Sequence, residues 1–184
     1  KNFGFTYLTG SNLLQILTKP NGMTLTQTYE SNRDLLIGMA YHRNSTLVAQ
    51  RTYTYDILGR LTARTTARQG AVVEDSFSHN TRSELVEAQV NAKEYEYAFD
   101  NIGNRQYSIE DNNAVMYDTN ELNQYSAVSE NGVSAFEPQF DADGNQTLIK
   151  TDTGIWSAVY NAKNRPVALT NDESNIVVEY RYDS

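Results

Sequence analysis

The chain has 184 residues and a mass of 20.8 kDa, long enough for one full-sized domain with its own core, and it carries a formal net charge of −8. It contains no cysteine, which excludes disulfide frameworks, thiolate metal sites and cysteine nucleophiles together. No run approaches the roughly 18 apolar residues of a membrane-spanning helix, and the opening KNFGFTYLTG lacks the long apolar stretch of a secretory leader.

Only 39% of residues are hydrophobic and 21% charged, so much of the polarity is neutral: 19 Asn and 18 Thr stand beside 13 Tyr. That mixture favours strands and turns over helices. Taken in chain order, FTYLTGSNL from residue 5 and QTYESNRDL from 27 are loose forms of a unit that becomes clear in YTYDILGRL at 53. FSHNTRSEL at 77, YAFDNIGNR at 97, YDTNELNQY at 117, PQFDADGNQ at 138, AVYNAKNRP at 158 and YRYD at 180 repeat it. All register on one anchor position: Leu8, Glu30, Asp56, Asn80, Asp100, Asn120, Asp141, Asn161 and Asp183. The spacings of 20 to 26 residues, kept along the whole chain, are the mark of a repeat array. About nine repeats are expected over 1–184, with degenerate copies in 1–50.

The residue before the anchor is aromatic in seven of nine copies: Tyr7, Tyr29, Tyr55, Phe99, Phe140, Tyr160 and Tyr182. His79, Thr119, Pro138 and Ala158 depart from the aromatic pattern, and Tyr117 supplies a ring where Thr119 does not. Three residues past the anchor stand Gly59, Gly103, Gly144, Asn123 and Asn164, residue types that tolerate a positive φ. Each unit therefore reads as an aromatic strand ending at an Asp or Asn that caps a turn, then a sharp reversal, then a second strand such as LTARTTAR from Leu61. Second turns are expected at Asn21-Gly22, Gly70, Asn112-Asn113, Asn131-Gly132 and Gly154. A lone hairpin cannot bury its apolar face, so hairpins should stack edge to edge into one continuous, curved antiparallel sheet, an all-β array.

A Tyr-Asp step, two residues, then Gly-Arg or Gly-Asn-Arg, recurring at about 21 residues, resembles the YD repeats of the RHS family. The match is specific at YTYDILGRL, YAFDNIGNR and YDTNELNQY and covers nearly the whole chain. The family comprises bacterial polymorphic toxins, the BC component of insecticidal toxin complexes, wall-associated proteins and the teneurins. The resemblance implies a β-sheet spiralling into a hollow shell, a secreted or cell-surface bacterial protein, and a C-terminal effector enclosed or presented by the shell. It implies Tyr55, Asp56, Gly59, Arg60, Phe99, Asp100, Gly103, Tyr117, Asn120, Asn123, Phe140, Asp141, Gly144, Tyr160, Asn161, Asn164, Tyr182 and Asp183 as structural repeat positions. The family's autoproteolytic core segment has no counterpart in 1–184, so no protease residue carries over. The chain reads as a stretch of a longer protein, since RYDS stops where the repeat would continue.

Other groups have a bland and a sharp reading. DADGN from Asp141 has the look of a calcium loop, yet the twelfth position is Asp152 rather than Glu and the same residues fill the turn slot. His42 and His79 lie far apart in sequence and read as structural. The carboxylate clusters Glu74-Asp75, Glu110-Asp111 and Asp172-Glu173 lie in or beside predicted turns and read as solvated loops rather than paired acid and base. Charge is uneven: residues 1–70 hold eight Lys or Arg against three acids, +5, and 71–184 hold seven against twenty, −13. Nucleic acid requires a basic face, so the total of −8 speaks against a nucleic-acid partner and none is expected, the basic first part alone keeping a weak form of that reading open. In an unbroken strand 60–68, Arg60, Arg64 and Arg68 share one face with Thr62 and Thr66, a candidate stripe for an anionic ligand or, alternatively, a wet face paired with acids of an adjacent hairpin. The chain is expected to be non-catalytic, without cofactor or metal, its partners being the neighbouring repeats and an effector. The alternative is a surface carbohydrate-binding or adhesion module using exposed Tyr and Trp156.

Overall fold

The computed structural model describes residues 2–171 and 173–183; Asp172, of the third acidic cluster, lies outside the described residues. The described residues contain eighteen strands and no helix, and the chain forms two compact units, Lys1–Tyr97 and Ala98–Ser184.

In the first unit each strand pairs antiparallel with the next in sequence: β1 (Gly4–Tyr7), β2 (Leu14–Thr18), β3 (Met23–Tyr29), β4 (Leu36–Arg43), β5 (Thr46–Tyr55), β6 (Leu61–Arg68), β7 (Ala71–His79), β8 (Leu85–Val90) and β9 (Lys93–Phe99). In the second unit β10 (Arg105–Glu110), β11 (Asn113–Thr119), β12 (Tyr125–Glu130) and β13 (Val133–Phe136) follow the same rule. So do β14 (Gln139–Phe140), β15 (Gln146–Thr151), β16 (Gly154–Tyr160), β17 (Pro166–Asn171) and β18 (Ile176–Glu179), which form a separate sheet. The expected array of antiparallel hairpins in chain order is therefore what the structure shows, with one qualification. The sheet is not continuous, because β13 and β14 are not paired. Glu137-Pro138 stands between them, and proline has no N–H to give a ladder and biases the residue before it.

The two ends of each hairpin are built differently. At one end, two-residue loops have both residues at positive φ: Asn44 and Ser45, Gln69 and Gly70, Asn91 and Ala92, Asp111 and Asn112, Asn131 and Gly132. This is the twist-matched type I′ geometry. The loop expected at Asn112-Asn113 thus sits one residue earlier, and β11 begins at Asn113. At the anchor end, the ladder shifts register just before the aromatic position, at Thr6/Tyr7, Thr28/Tyr29, Thr54/Tyr55, Ser78/His79, Asp118/Thr119, Gln139/Phe140 and Val159/Tyr160. A bulge beside these seven anchor turns re-aims the side chain that precedes the anchor.

The core is thin. Among the described residues the buried apolar side chains are Ala88, Phe136 and Ala158, and most rings are half-buried. The departure at Ala158 has a packing reason: β16 alternates strictly, and the small residue fills the most enclosed inward position. Glu74 and Asp75 do not lie in or beside a turn. They sit inside β7 and, by the strand's alternation, face opposite ways: Glu74 is exposed and Asp75 only 2% exposed.

Candidate functional site

The most heavily built feature is the row of anchor turns. At Asp56, Asn80, Asp100, Asn120, Asp141 and Asn161 the anchor N–H donates to the carbonyl four residues on at 2.9–3.0 Å, and the N–H three residues on donates back to the anchor carbonyl at 2.9–3.3 Å. In all six, the anchor Oδ1 accepts the N–H groups two and four residues on, at 2.8–3.2 Å. A short side-chain carbonyl or carboxylate is the group that can reach both. The third residue takes a positive φ whatever its type: Gly59, Ser83, Gly103, Asn123, Gly144 and Asn164. Ser83 carries no Gly or Asn signal and was invisible in the sequence. The looser anchors Leu8 and Glu30 close a turn one residue longer, onto Leu13 and Leu35.

Of the position four after the anchor, the sequence singles out Arg60 alone, as the Arg of the Gly-Arg step, yet the side chain there completes five of the six turns. Asp anchors offer only acceptors and face donors: Arg60 Nε to Asp56 Oδ2 at 2.6 Å, Asn104 Nδ2 to Asp100 Oδ2 at 2.8 Å, and Asn145 Nδ2 to Asp141 Oδ2 at 3.0 Å. Asn anchors have a spare Nδ2 and face acceptors: Asn80 donates to Glu84 at 2.6 Å and Asn120 to Gln124 at 3.0 Å. Asn161 with Arg165 pairs donor against donor; there the guanidinium lies 5.3 Å over the Tyr182 ring instead. The carboxyl of Asp56 is held below its ordinary value first by the Arg60 N–H, and that of Asp141 first by the Asn145 side chain. Both Asp141 oxygens accept N–H donors, so DADGN is a turn whose carboxylate is already satisfied, and the calcium reading is set aside.

Successive turns are tied together. Arg33 grips Glu30 at 2.7 Å and donates to the Asp56 carbonyl at 2.7 Å; Arg60 then donates to the Asn80 carbonyl at 2.7 Å. In the second unit Asn145 Nδ2 reaches Asn164 Oδ1 at 2.9 Å. The aromatic row adds a second set of ties: Tyr29, Tyr55, Tyr160 and Tyr182 each donate a hydroxyl hydrogen to the carbonyl of the residue that opens the strand after the preceding anchor turn, Leu14, Leu36, Gln146 and Pro166, at 2.8–3.0 Å. Burial raises the Tyr55 hydroxyl above its ordinary value. Tyr117 packs on Tyr125 at 5.3 Å, and the Arg105 guanidinium lies 6.0 Å from the centroids of both Phe99 and Tyr117. Phe140 lines a hollow of about 460 Å³ with Tyr117, Tyr125, Phe136 and Pro138, beside the break in the sheets. Asp183 is exposed beyond Tyr182.

The arginine stripe does not survive as a unit. Arg60 lies in its turn, spent on Asp56 and Asn80, and the register shift at Thr54/Tyr55, which pairs Thr54 with Ala63 but Tyr55 with Leu61, breaks the alternation that would align it with β6. Arg64 donates to Asp75 Oδ2 at 2.8 Å, and the Asn91 N–H donates to Asp75 Oδ1 at 3.0 Å. Burial pushes the Asp75 carboxyl up, but that N–H and the guanidinium outweigh it and hold the group below its ordinary value. Arg68 alone of the three is exposed and unengaged. Trp156 is half-buried, its Nε1 donating to Thr151 and Thr153 at 3.1 Å. His42 pairs opposite Thr24 and Leu47, and His79 opposite Leu85.

Compared with protein-family profiles and with curated proteins, the sequence finds no match. Solved structures do match. The chain is similar to part of the Photorhabdus luminescens Tc holotoxin pore carrying a TccC3 substitution, with a TM-score of 0.73 at 15% identity over 92% of this chain. It is similar to part of TcdB2-TccC3-Cdc42, with a TM-score of 0.72 at 15% identity over 94%, and of TcdB2-TccC3 without its hypervariable C-terminal region, 0.60 at 15% over 96%. It spans 10–12% of the length of those chains. At this identity the likeness is one of architecture, and with the repeat motif it identifies the fold of this chain as RHS/YD-repeat-like.

Proposed function

We propose that the chain is a non-catalytic structural stretch, about nine YD-type repeats over 1–184, of a large secreted or cell-surface protein, forming part of a shell that encloses or presents a C-terminal effector. The observation that carries this reading is the anchor turn built six times over with the same four main-chain and Oδ1 bonds. The side chains of Asp56, Arg60, Asp100, Asp141 and Asn145 are spent on closing these turns or joining one to the next. The likeness to Tc toxin chains many times longer supports a wall element rather than a free-standing module.

Protease protection tests this in the parent polypeptide. A C-terminal segment held inside a shell should survive protease while the assembly is intact and be digested once mild denaturant opens it. Digestion at the rate of the isolated segment would refute enclosure. Removal of residues 1–184 should expose that segment; unchanged protection would show that this stretch forms no part of the wall.

A further inference from the structure

The arginines of the first unit fall into two sets. Arg33, Arg60 and Arg64 are spent on carboxylates and carbonyls. Arg43, Arg51 and Arg68 are exposed and, among the described residues, have no carboxylate within ion-pair reach. Register gathers this second set on one face. Arg51 stands opposite Thr66; Arg68, two residues further along β6, stands opposite Ala49, which in turn faces Tyr41. Arg43 follows Tyr41 by two residues on β4. The acid that register places on this face across β3 to β7 is Asp75, already neutralised by Arg64.

Between these side chains lies a hollow of about 310 Å³, lined by Met23, Tyr41, Arg51, Thr66, Arg68 and Gln69 among others. Arg68 and Gln69 also wall a second hollow of about 250 Å³ with Leu47 and Val72. Two guanidinium forks beside an aromatic ring form a site for oxyanions carried on a body with apolar faces. Strands β5 and β6 are both paired on each side, so no free ladder remains there to hold an extended peptide by its main chain. The ligand has to be gripped through side chains alone.

We propose that this face binds an acidic oligosaccharide, its carboxylate or sulfate groups on Arg51 and Arg68 and a sugar ring against Tyr41, with Arg43 extending the positive field. The inference rests on the fold of the first unit and not on the shell role, so the protease experiment can fail without touching it.

Calorimetric titration of the whole chain with a heparin hexasaccharide at low salt, where exposed charges are least screened, tests it. The Arg51→Gln/Arg68→Gln double variant should lose at least tenfold in affinity and Tyr41→Leu severalfold, while Arg181→Gln, 93% exposed and far along the sequence, stays within twofold. Far-UV circular dichroism and melting temperature establish that each variant is folded. Absence of binding by the parent chain, undiminished binding by the double variant, or an equal loss in Arg181→Gln would overturn the proposal. So would a poly-glutamate peptide or a single-stranded oligonucleotide that binds as tightly as the sugar, since the face would then read charge alone.

Discussion

The two units each enclose one polar side chain among the described residues, and they satisfy it with different chemistry. In the first unit Asp75, 2% exposed, is ionised and held by the Arg64 guanidinium and the Asn91 N–H. In the second, Asn171, 0% exposed, is neutral, donating to the Thr153 carbonyl at 3.0 Å and accepting the Ser174 N–H at 2.9 Å. The turns diverge in the same sense. Arginines link successive anchors in the first unit, whereas an amide links Asn145 to Asn164 in the second. One architecture thus tolerates a charged and an amide form of such a tie, because in each of these pairs a donor meets an acceptor.

The largest expected effect is in the amide version. Asn171→Leu strands the Thr153 carbonyl and the Ser174 N–H and should cost about 3 kcal/mol, read by denaturant unfolding and, locally, by faster amide exchange in β16 and β17; the loss should not depend on salt. Arg64→Met leaves Asp75 enclosed without its cation. A third of the Arg64 side chain reaches water, which trims the roughly 3–5 kcal/mol of a fully buried pair to about 2 kcal/mol. Exchange should then quicken in β6 and β7 while β16 and β17 keep their protection.

Acid should separate the two solutions as well. The folded Asp75 carboxyl titrates below its ordinary value, so its contribution is complete above the unfolded value of about 4 and disappears as pH falls through the folded one. Asp75→Asn should flatten the acid limb of the first unit's stability curve. An acid limb as steep as the parent's would show that the charge is not what responds.

Two smaller effects sharpen the same contrast. Gly154 has a φ of +115°, and a Cβ there would stand 2.9 Å from Asn171 Nδ2; Gly154→Ala should cost about 1–2 kcal/mol, seen as a lower melting temperature. At the anchors, Asn80→Asp sets a carboxylate against Glu84, which now accepts from Asn80 at 2.6 Å. A loss of about 0.5–1 kcal/mol is expected, recovered when Glu84→Arg is added to reproduce the Asp56 and Arg60 pairing. A double variant no better than the single one would refute the matching rule.

The aromatic residue recurring before each anchor and the Asn-Gly and Asp-x-x-Gly punctuation made the hairpins legible, since left-handed turns are decided within a few residues. The turn anchored at Asn80 was legible from its repeat, but the left-handed backbone of Ser83 was not, because its neighbours impose a conformation that serine itself does not favour. The break at Pro138 was marked by a residue that cannot join a ladder, although only the paired strands show that the sheet divides there. The side-chain half of the anchor turn was legible in principle, as an Asp or Asn whose partner four residues on switches between donor and acceptor, but it shows as a rule only when the bonds are seen together.

The arginines mark the boundary of what can be read. The sequence by itself determined the repeat, the turn caps and the basic character of residues 1–70, because these depend on spacing and local bonding. Which arginines are consumed and which remain available was decided by tertiary structure alone. A bulge moved Arg60 out of line, a buried aspartate on the adjacent strand captured Arg64, and cross-strand register set Arg51 beside Arg68. A long cationic side chain is assigned by the strand beside it, and that neighbour is fixed only when the sheet assembles.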